Sequence, residues 1–215
     1  MVSGQRSVKG IMSVVTVSGH SRKVGKTSIA EGLIAALPEY GWTALKISSH
    51  LHSGNSKNSE VPAKDFAVFE ETDRAGGNDT SRFLKAGACR AFWIQAGRIE
   101  AAIPTVRAII KDAPYVVIEG NSVLDFIAAD FSILVLNSGV AEFKKSARGI
   151  LSRADALVLV RSNAERYEWE NLLESVPGNI PRFETGAPGV FPPALAELLR
   201  FTFPPIFHDL PKRAG

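Results

Sequence analysis

A chain of 215 residues, 45% hydrophobic and 22% charged, has the length and composition of an α/β domain with a substantial core and excludes a disordered polypeptide. The net charge is only +3, with Lys and Arg spread along the chain, which argues against nucleic acid as a partner and suits small phosphorylated molecules. The single cysteine, Cys89, rules out an intrachain disulfide, and the apolar stretch after the polar residues 1–10 is too short for a signal or membrane segment, so a soluble cytoplasmic protein without a membrane partner is expected.

Ile11–Val17 reads as a buried strand, and Lys26–Leu37 as a helix with Ile29, Leu33, Ile34 and Leu37 on one stripe and Pro38 beyond it. Trp42–Ser48 is the second strand. From His50 to Pro62 the chain turns polar and reads as an exposed loop. Ala67–Glu70 is a short third strand, and the Gly76-Gly77-Asn78 turn leads into a short helix capped by Asp79 or Thr80. Cys89 lies in an apolar stretch and reads as a buried small hydrophobe. Ala91–Ile94 is a strand; Gly97–Lys111 is helical, with Pro104 marking a kink or a restart.

Tyr115–Glu119, Ile133–Leu136 and Ala156–Val160 are further strands, with helices over Ala147–Arg153 and, facing solvent, Ala164–Glu174. Strands that are apolar throughout and alternate with helices predict a doubly wound, mostly parallel sheet covered on both faces. After Pro177 the chain becomes proline-rich and irregular, interrupted by a short helix at Ala194–Phe201. Its aromatics, Phe201, Phe203 and Phe207, predict packing against the body or a partner subunit. The reading is therefore one domain over residues 1–176 and an extension over residues 177–215.

The chemistry concentrates in Val14–Ser28, VVTVSGHSRKVGKTS. An apolar strand enters a basic loop that closes on Gly25-Lys26-Thr27 and continues as a helix, the setting in which main-chain N–H groups and a helix N-terminus hold phosphates. Gly19 stands five residues before Gly25, and His20 takes the place where the usual spacing has its first glycine. The expected nucleotide contacts are Gly19, His20, Ser21, Arg22, Lys23, Val24, Gly25, Lys26, Thr27 and Ser28. Lys26 would neutralise the β and γ oxygens and Thr27 would ligate Mg²⁺. Arg22 and Lys23 either reach a γ-phosphate or acidic co-substrate, or stay solvated. Glu119, ending a buried strand, is the expected second metal ligand and acts with Lys26 in catalysis.

The five-residue spacing with Val24 resembles the loop of dethiobiotin synthetases and their MinD-like relatives among P-loop proteins. Residues 73–88, DRAGGNDTSRFLKAGA, resemble the D-x-P-G-K-D-S/T to A-G-A stretch of MobB proteins, the accessory factors of molybdopterin-guanine dinucleotide biosynthesis. Asp79-Thr80 and Ala86-Gly87-Ala88 match at the family spacing, and Asp73 matches with one extra residue in the glycine turn. Val116-Val117-Ile118-Glu119-Gly120 is similar to the family's strand ending in V-E-G. The resemblance covers about residues 11–120. It departs at Ile47-Ser48-Ser49-His50-Leu51-His52, where the family's I-K-H-x-H-H lysine is replaced by Ser48, with Lys46 two residues earlier on the same strand face. Asn121-Ser122 replaces the glycines usual in dethiobiotin synthetases.

The resemblance implies a Mg²⁺-dependent GTP- or ATP-binding accessory protein with weak NTPase activity, a partner enzyme of molybdenum cofactor synthesis and a homodimer. Asp73 is a further metal ligand by resemblance, or a turn cap. His50 and His52 read as solvated rather than ligating. After the Ala156–Val160 strand, Asn163 contacts a base edge or caps the following helix. Two other functions remain open: an ATP-dependent carboxylate-activating ligase or kinase using Lys26, Thr27, Lys46 and Glu119, and a non-enzymatic phosphate-sensing scaffold acting through the tail.

Overall fold

The computed structural model describes residues 13–48, 65–161, 168–186 and 189–205. The elements run β1 (Ser13–Gly19), α1 (Lys26–Ala36), β2 (Thr43–Ser48), β3 (Phe66–Glu71), α2 (Asp79–Ala86), β4 (Arg90–Ala96) and α3 (Ile99–Lys111). They continue with β5 (Tyr115–Glu119), β6 (Phe131–Asn137), α4 (Lys145–Leu151), β7 (Ala156–Val160), β8 (Arg182–Thr185) and α5 (Pro193–Thr202). Short 3-10 segments occupy Pro38–Tyr40, Ser122–Asp125 and Glu168–Ser175.

The strands form one eight-stranded sheet in the order β3-β4-β2-β5-β1-β6-β7-β8. Neighbours are parallel except β3, which lies antiparallel on the edge of β4. Alternate side chains of each strand point to opposite faces. Val15 and Val17 therefore pack with α1, α2 and α5, through Ile29, Leu33, Phe83 and Leu195. On the opposite face Val14, Leu45 and Ile118 pack with α3 through Ile103 and Val106. Leu134, Leu136, Leu157 and Leu159 meet α4 and the Glu168–Ser175 segment on that face through Ile150 and Trp169. The α/β class and the sheet covered on both faces agree with the sequence reading.

Four local readings change. Helix α3 runs from Ile99 through Pro104 to Lys111 as one element, so the restart that Pro104 offered does not occur. The helix expected at Ala164–Glu174 is, where described, a 3-10 segment whose Trp169 is buried against the sheet rather than facing solvent. The proline-rich region contributes a strand, β8, paired parallel to β7. Cys89 is exposed, not buried, because it follows the helix-ending Gly87 and enters β4 before its buried part begins. A thiol reagent is accordingly expected to label Cys89 stoichiometrically in the folded protein, without denaturant; labelling that waits for unfolding would contradict this exposure.

Beyond β8 the chain folds back along α1. Phe191 lies so close to Gly32 that a Cβ there would come within 2.3 Å of the Phe191 Cβ. Leu195 and Leu199 of α5 join the core beneath. Tyr40 donates its hydroxyl to the Phe203 carbonyl at 2.5 Å, and Arg200 pairs with Glu39 at 2.8 Å.

Candidate functional site

The phosphate-binding candidate forms where β1, at the sheet centre, ends against α1. The chain must double back over the end of β1, and Gly19 permits this. A Cβ there would sit 2.5 Å from Val24 Cγ2 and 2.9 Å from Lys26 Cγ. Gly25, with φ 106°, supplies the left-handed residue that starts α1. Val24 is buried under the loop. Lys26 curls over the loop and donates from Nζ to the Ser21 carbonyl at 2.9 Å. Burial lowers the Lys26 pKa, assisted by the positive charges of Lys46, Lys144 and Arg22 and opposed by Glu119. A cation held this way lacks its ordinary solvation, and an incoming anion restores the balance.

The second half of the site comes from the carboxyl ends of β5 and β2. Thr27 Oγ1 donates to Glu119 Oε2 at 2.9 Å. Lys46 Nζ bridges Glu119, at 3.0 Å, and Asp79 Oδ2, at 2.5 Å. Burial works against the Lys46 charge, but Glu119 and Asp79 outweigh it and raise the pKa above its ordinary value. Arg82, one turn after Asp79 on α2, donates to Glu31 at 2.5 Å and to Ser28 Oγ at 3.3 Å. Except for Glu31, these groups line a cleft of about 890 Å³, together with Ser146, Gly149 and Ile150 of α4 and with Lys144 and Arg153, which flank that helix.

Thr27, Glu119 and Asp79 offer hard oxygen donors around a point where the protein already places a cation, the Lys46 ammonium. That donor chemistry fits Mg²⁺, which uses one or two carboxylates and fills its octahedron with water and substrate phosphate. Among the described residues no group of three or more His, Cys, Asp or Glu side chains could hold a metal ion.

No protein-family model matches the chain, and no curated protein does. Among solved structures the chain is similar to the "apo" form of LpxK from Aquifex aeolicus in complex with ATP, at 16% identity and a TM-score of 0.47 over 80% of this chain. It is also similar to a ParA family ATPase from Chlorobium tepidum TLS, at 12% identity and a TM-score of 0.45 over 82% of this chain and 85% of that one. The chain spans about half the length of the LpxK chain, 53%. These are likenesses of chain layout.

Of the residues picked out from sequence, the structure brings Ser21, Arg22, Lys23, Gly25, Lys26, Thr27, Ser28 and Glu119 to the one cleft. Gly19 and Val24 shape it from beneath. His20 is a correction. Its ring is fully buried and points away from the phosphate side, because both nitrogens have partners in the chain. Nε2 accepts from the Asn137 N–H at 3.1 Å, so Nδ1 carries the proton and donates to the Glu142 carbonyl at 2.9 Å. The ring also packs on Phe143 and Trp169, and the His20 N–H is bound to the Val135 carbonyl.

Asp73 is a second correction: it is exposed, accepts from the Ala75 N–H at 2.7 Å as a turn cap, and does not line the cleft. Asp79 stands there instead. Helix α2 is capped by Asn78, whose Oδ1 accepts from the Ser81 N–H at 2.8 Å, rather than by Asp79 or Thr80. That leaves the Asp79 carboxylate free for Lys46. Asn163, His50 and His52 lie outside the described residues, as do the C-terminal residues from 206 onward.

Two further roles escaped the sequence reading. Asn121 locks β5 to β1, accepting the Gly19 N–H at 3.0 Å and donating to the Gly19 carbonyl at 2.8 Å. Glu142, from the segment after β6, accepts a short hydrogen bond from the Ser21 hydroxyl. Neither pair has a local sequence signal, since each partner lies more than a hundred residues away.

Proposed function

We propose that the protein binds a purine nucleoside triphosphate with Mg²⁺ in this cleft and acts on its γ-phosphoryl group. The observation that carries the reading is the meeting of Lys26 and Thr27, at the start of α1, with Glu119, at the end of β5, at the mouth of a loop built around Gly19 and Gly25. On this reading Lys26 leaves the Ser21 carbonyl for the β and γ oxygens, and loop N–H groups hold the phosphate chain. Thr27 and Glu119 hold the metal, which supplies charge neutralisation at the phosphates. Lys46, kept charged by Glu119 and Asp79, faces the transferred group.

The finer assignment we propose is a MobB-like accessory factor of molybdenum cofactor synthesis with weak NTPase activity, working with a partner enzyme and as a homodimer. Its support is the run of motifs at residues 73–88 and 116–120. A second reading, transfer of the phosphoryl group to a carboxylate as in dethiobiotin synthetase-like enzymes, is favoured by the presence of Lys46 in the cleft, where it stands in for the missing strand lysine. GTP and ATP both remain candidates.

Titration with Mg·ATP and Mg·GTP, with and without Lys26→Ala, tests the proposal. At least one nucleotide is expected to bind, and Lys26→Ala is expected to weaken it by roughly 30- to 100-fold, the scale of a charge-assisted contact to phosphate. Binding indifferent to that substitution would overturn the assignment of the loop.

A further inference from the structure

Of the carboxylates that line the cleft, Glu119 is the most deeply buried: 6% of its side chain is exposed, against 35% for Asp79 and 70% for Asp125. A carboxylate at that depth needs a cation in place of water. Lys46 stands opposite Glu119 in the β2–β5 ladder. Its ammonium meets both carboxylate oxygens, at 3.0 and 3.1 Å, and also Asp79 Oδ2 at 2.5 Å. Lys26 is engaged elsewhere, at the Ser21 carbonyl. Lys46 therefore covers the same oxygens that a metal would need.

Thr27 completes the arrangement. Its hydroxyl proton goes to Glu119 Oε2, which leaves its oxygen lone pairs for a cation. Two carboxylates and a hydroxyl are hard donors, suited to Mg²⁺ or Mn²⁺. A divalent ion and the ammonium on one buried carboxylate would repel each other strongly, since little water lies between them to screen the charges. One must leave before the other enters. Lys46 has a way out, because its second partner, Asp79, is the more exposed of the two. The ammonium can keep Asp79 while it releases Glu119.

We propose that Lys46 is a tethered cation that holds the metal position of the nucleotide-free protein and excludes divalent ions until a nucleotide arrives. The γ-phosphate then offers Lys46 a second anion. The ammonium moves to it on the Asp79 side, and Glu119 is freed for the metal. Metal binding is thereby coupled to nucleotide binding, and the coupling is reciprocal. Glu119 is at no stage buried without a cation. The inference deepens the nucleotide reading above, from which the metal role of Thr27 and Glu119 is taken, and rests on it.

The test titrates Mn²⁺ into the nucleotide-free protein at mildly alkaline pH and follows the electron paramagnetic resonance signal of the free ion. Lys46→Gln, whose amide can still donate to Glu119, and Lys46→Met are each expected to bind Mn²⁺ at least roughly tenfold tighter than the native chain. Lys46→Arg keeps the charge and is expected to gain nothing. Adding Glu119→Gln to Lys46→Gln is expected to abolish the gain. No gain in Lys46→Gln, an equal gain in Lys46→Arg, or a gain that survives Glu119→Gln overturns the proposal. If Lys46→Met does not fold, Lys46→Gln decides alone. The titration is then repeated with the non-hydrolysable analogue of whichever nucleotide binds. The native chain and Lys46→Gln are now expected to agree in Mn²⁺ affinity to within roughly threefold, because phosphate has taken Lys46. A difference undiminished by the analogue would mean that Lys46 stays on Glu119 and would overturn the exchange. Failure of the analogue itself to bind would count against the nucleotide reading, and the nucleotide-free titration would still decide the place of Lys46.

Discussion

His20→Ala is expected to lower the unfolding free energy by about 3–5 kcal/mol, as read from urea denaturation at pH 8. The ring is fully buried and packs on Phe143 at 5.3 Å and Trp169 at 4.7 Å. Removing it opens a cavity and also strands the Asn137 N–H and the Glu142 carbonyl. The damage falls on the loop between β1 and α1, since the His20 backbone and Ser21 tie that loop to β6 and to the segment after it. His20→Phe keeps the ring and is expected to cost less, about 1–3 kcal/mol, through the unmet hydrogen bonds alone.

The pH dependence follows from the same burial. Burial lowers the His20 pKa from its ordinary 6.5, with the Lys26 charge adding to the effect, while the Glu142 and Asn137 hydrogen bonds and the Glu142 charge oppose it. The unfolded chain therefore takes up a proton near pH 6.5 that the folded chain resists. Stability is full above that pH and falls as pH drops through it, levelling only below the folded-state value. Glu39 and Glu71 have pKa values lowered from 4.5; their contributions are full above that value and disappear at lower pH. The range from about pH 5 to pH 6.5 thus isolates histidine. A urea midpoint that declines across it in the native protein, and less steeply in His20→Phe, is the expected result. Identical slopes would remove His20 from the account.

What the sequence made legible was whatever depends on short-range pattern. The runs VVTV, VVI and ILVL are apolar at both parities, so they predict strands covered on both faces, and the sheet has them at its centre. The strand, the turn at Gly25 and the helix that follows it were legible for the same reason. Long-range partnership was not legible. His20 fills a loop position that ordinarily faces phosphate, and only Phe143, Trp169 and Asn137, all distant in sequence, turn it inward. Asp73 and Asp79 flank one glycine turn and carry the same group. Which of them reaches Lys46 is decided by Asn78 taking the helix cap. The strand β8, RFET, alternates charged and apolar residues at a sheet edge between prolines, and a proline count hides it.

Glu119→Gln is expected to reduce Mg²⁺-dependent nucleotide turnover by roughly 100- to 1000-fold, the scale seen when one preorganised charge partner is removed from a reacting centre. The carboxylate is 5% exposed and holds Thr27 and Lys46 together. Its loss therefore has a structural part as well as a chemical one. Lys46, with 21% of its side chain exposed, would keep only Asp79. Breaking a buried pair from one side costs about 3–5 kcal/mol, and the remaining partner with partial exposure brings the expected loss here to about 1–2 kcal/mol. The two parts separate in the double variant Glu119→Gln/Lys46→Met. With both charges gone, no cation is left half-buried, and the urea midpoint is expected to recover most of the loss. Turnover is not expected to recover, because a carboxamide is a poor Mg²⁺ ligand and the methionine supplies no charge for the transferred phosphoryl oxygens. If stability and turnover returned together, Glu119 would be a positioning residue for Lys46 rather than a metal ligand. The cleft would then work through Lys26 and the loop alone.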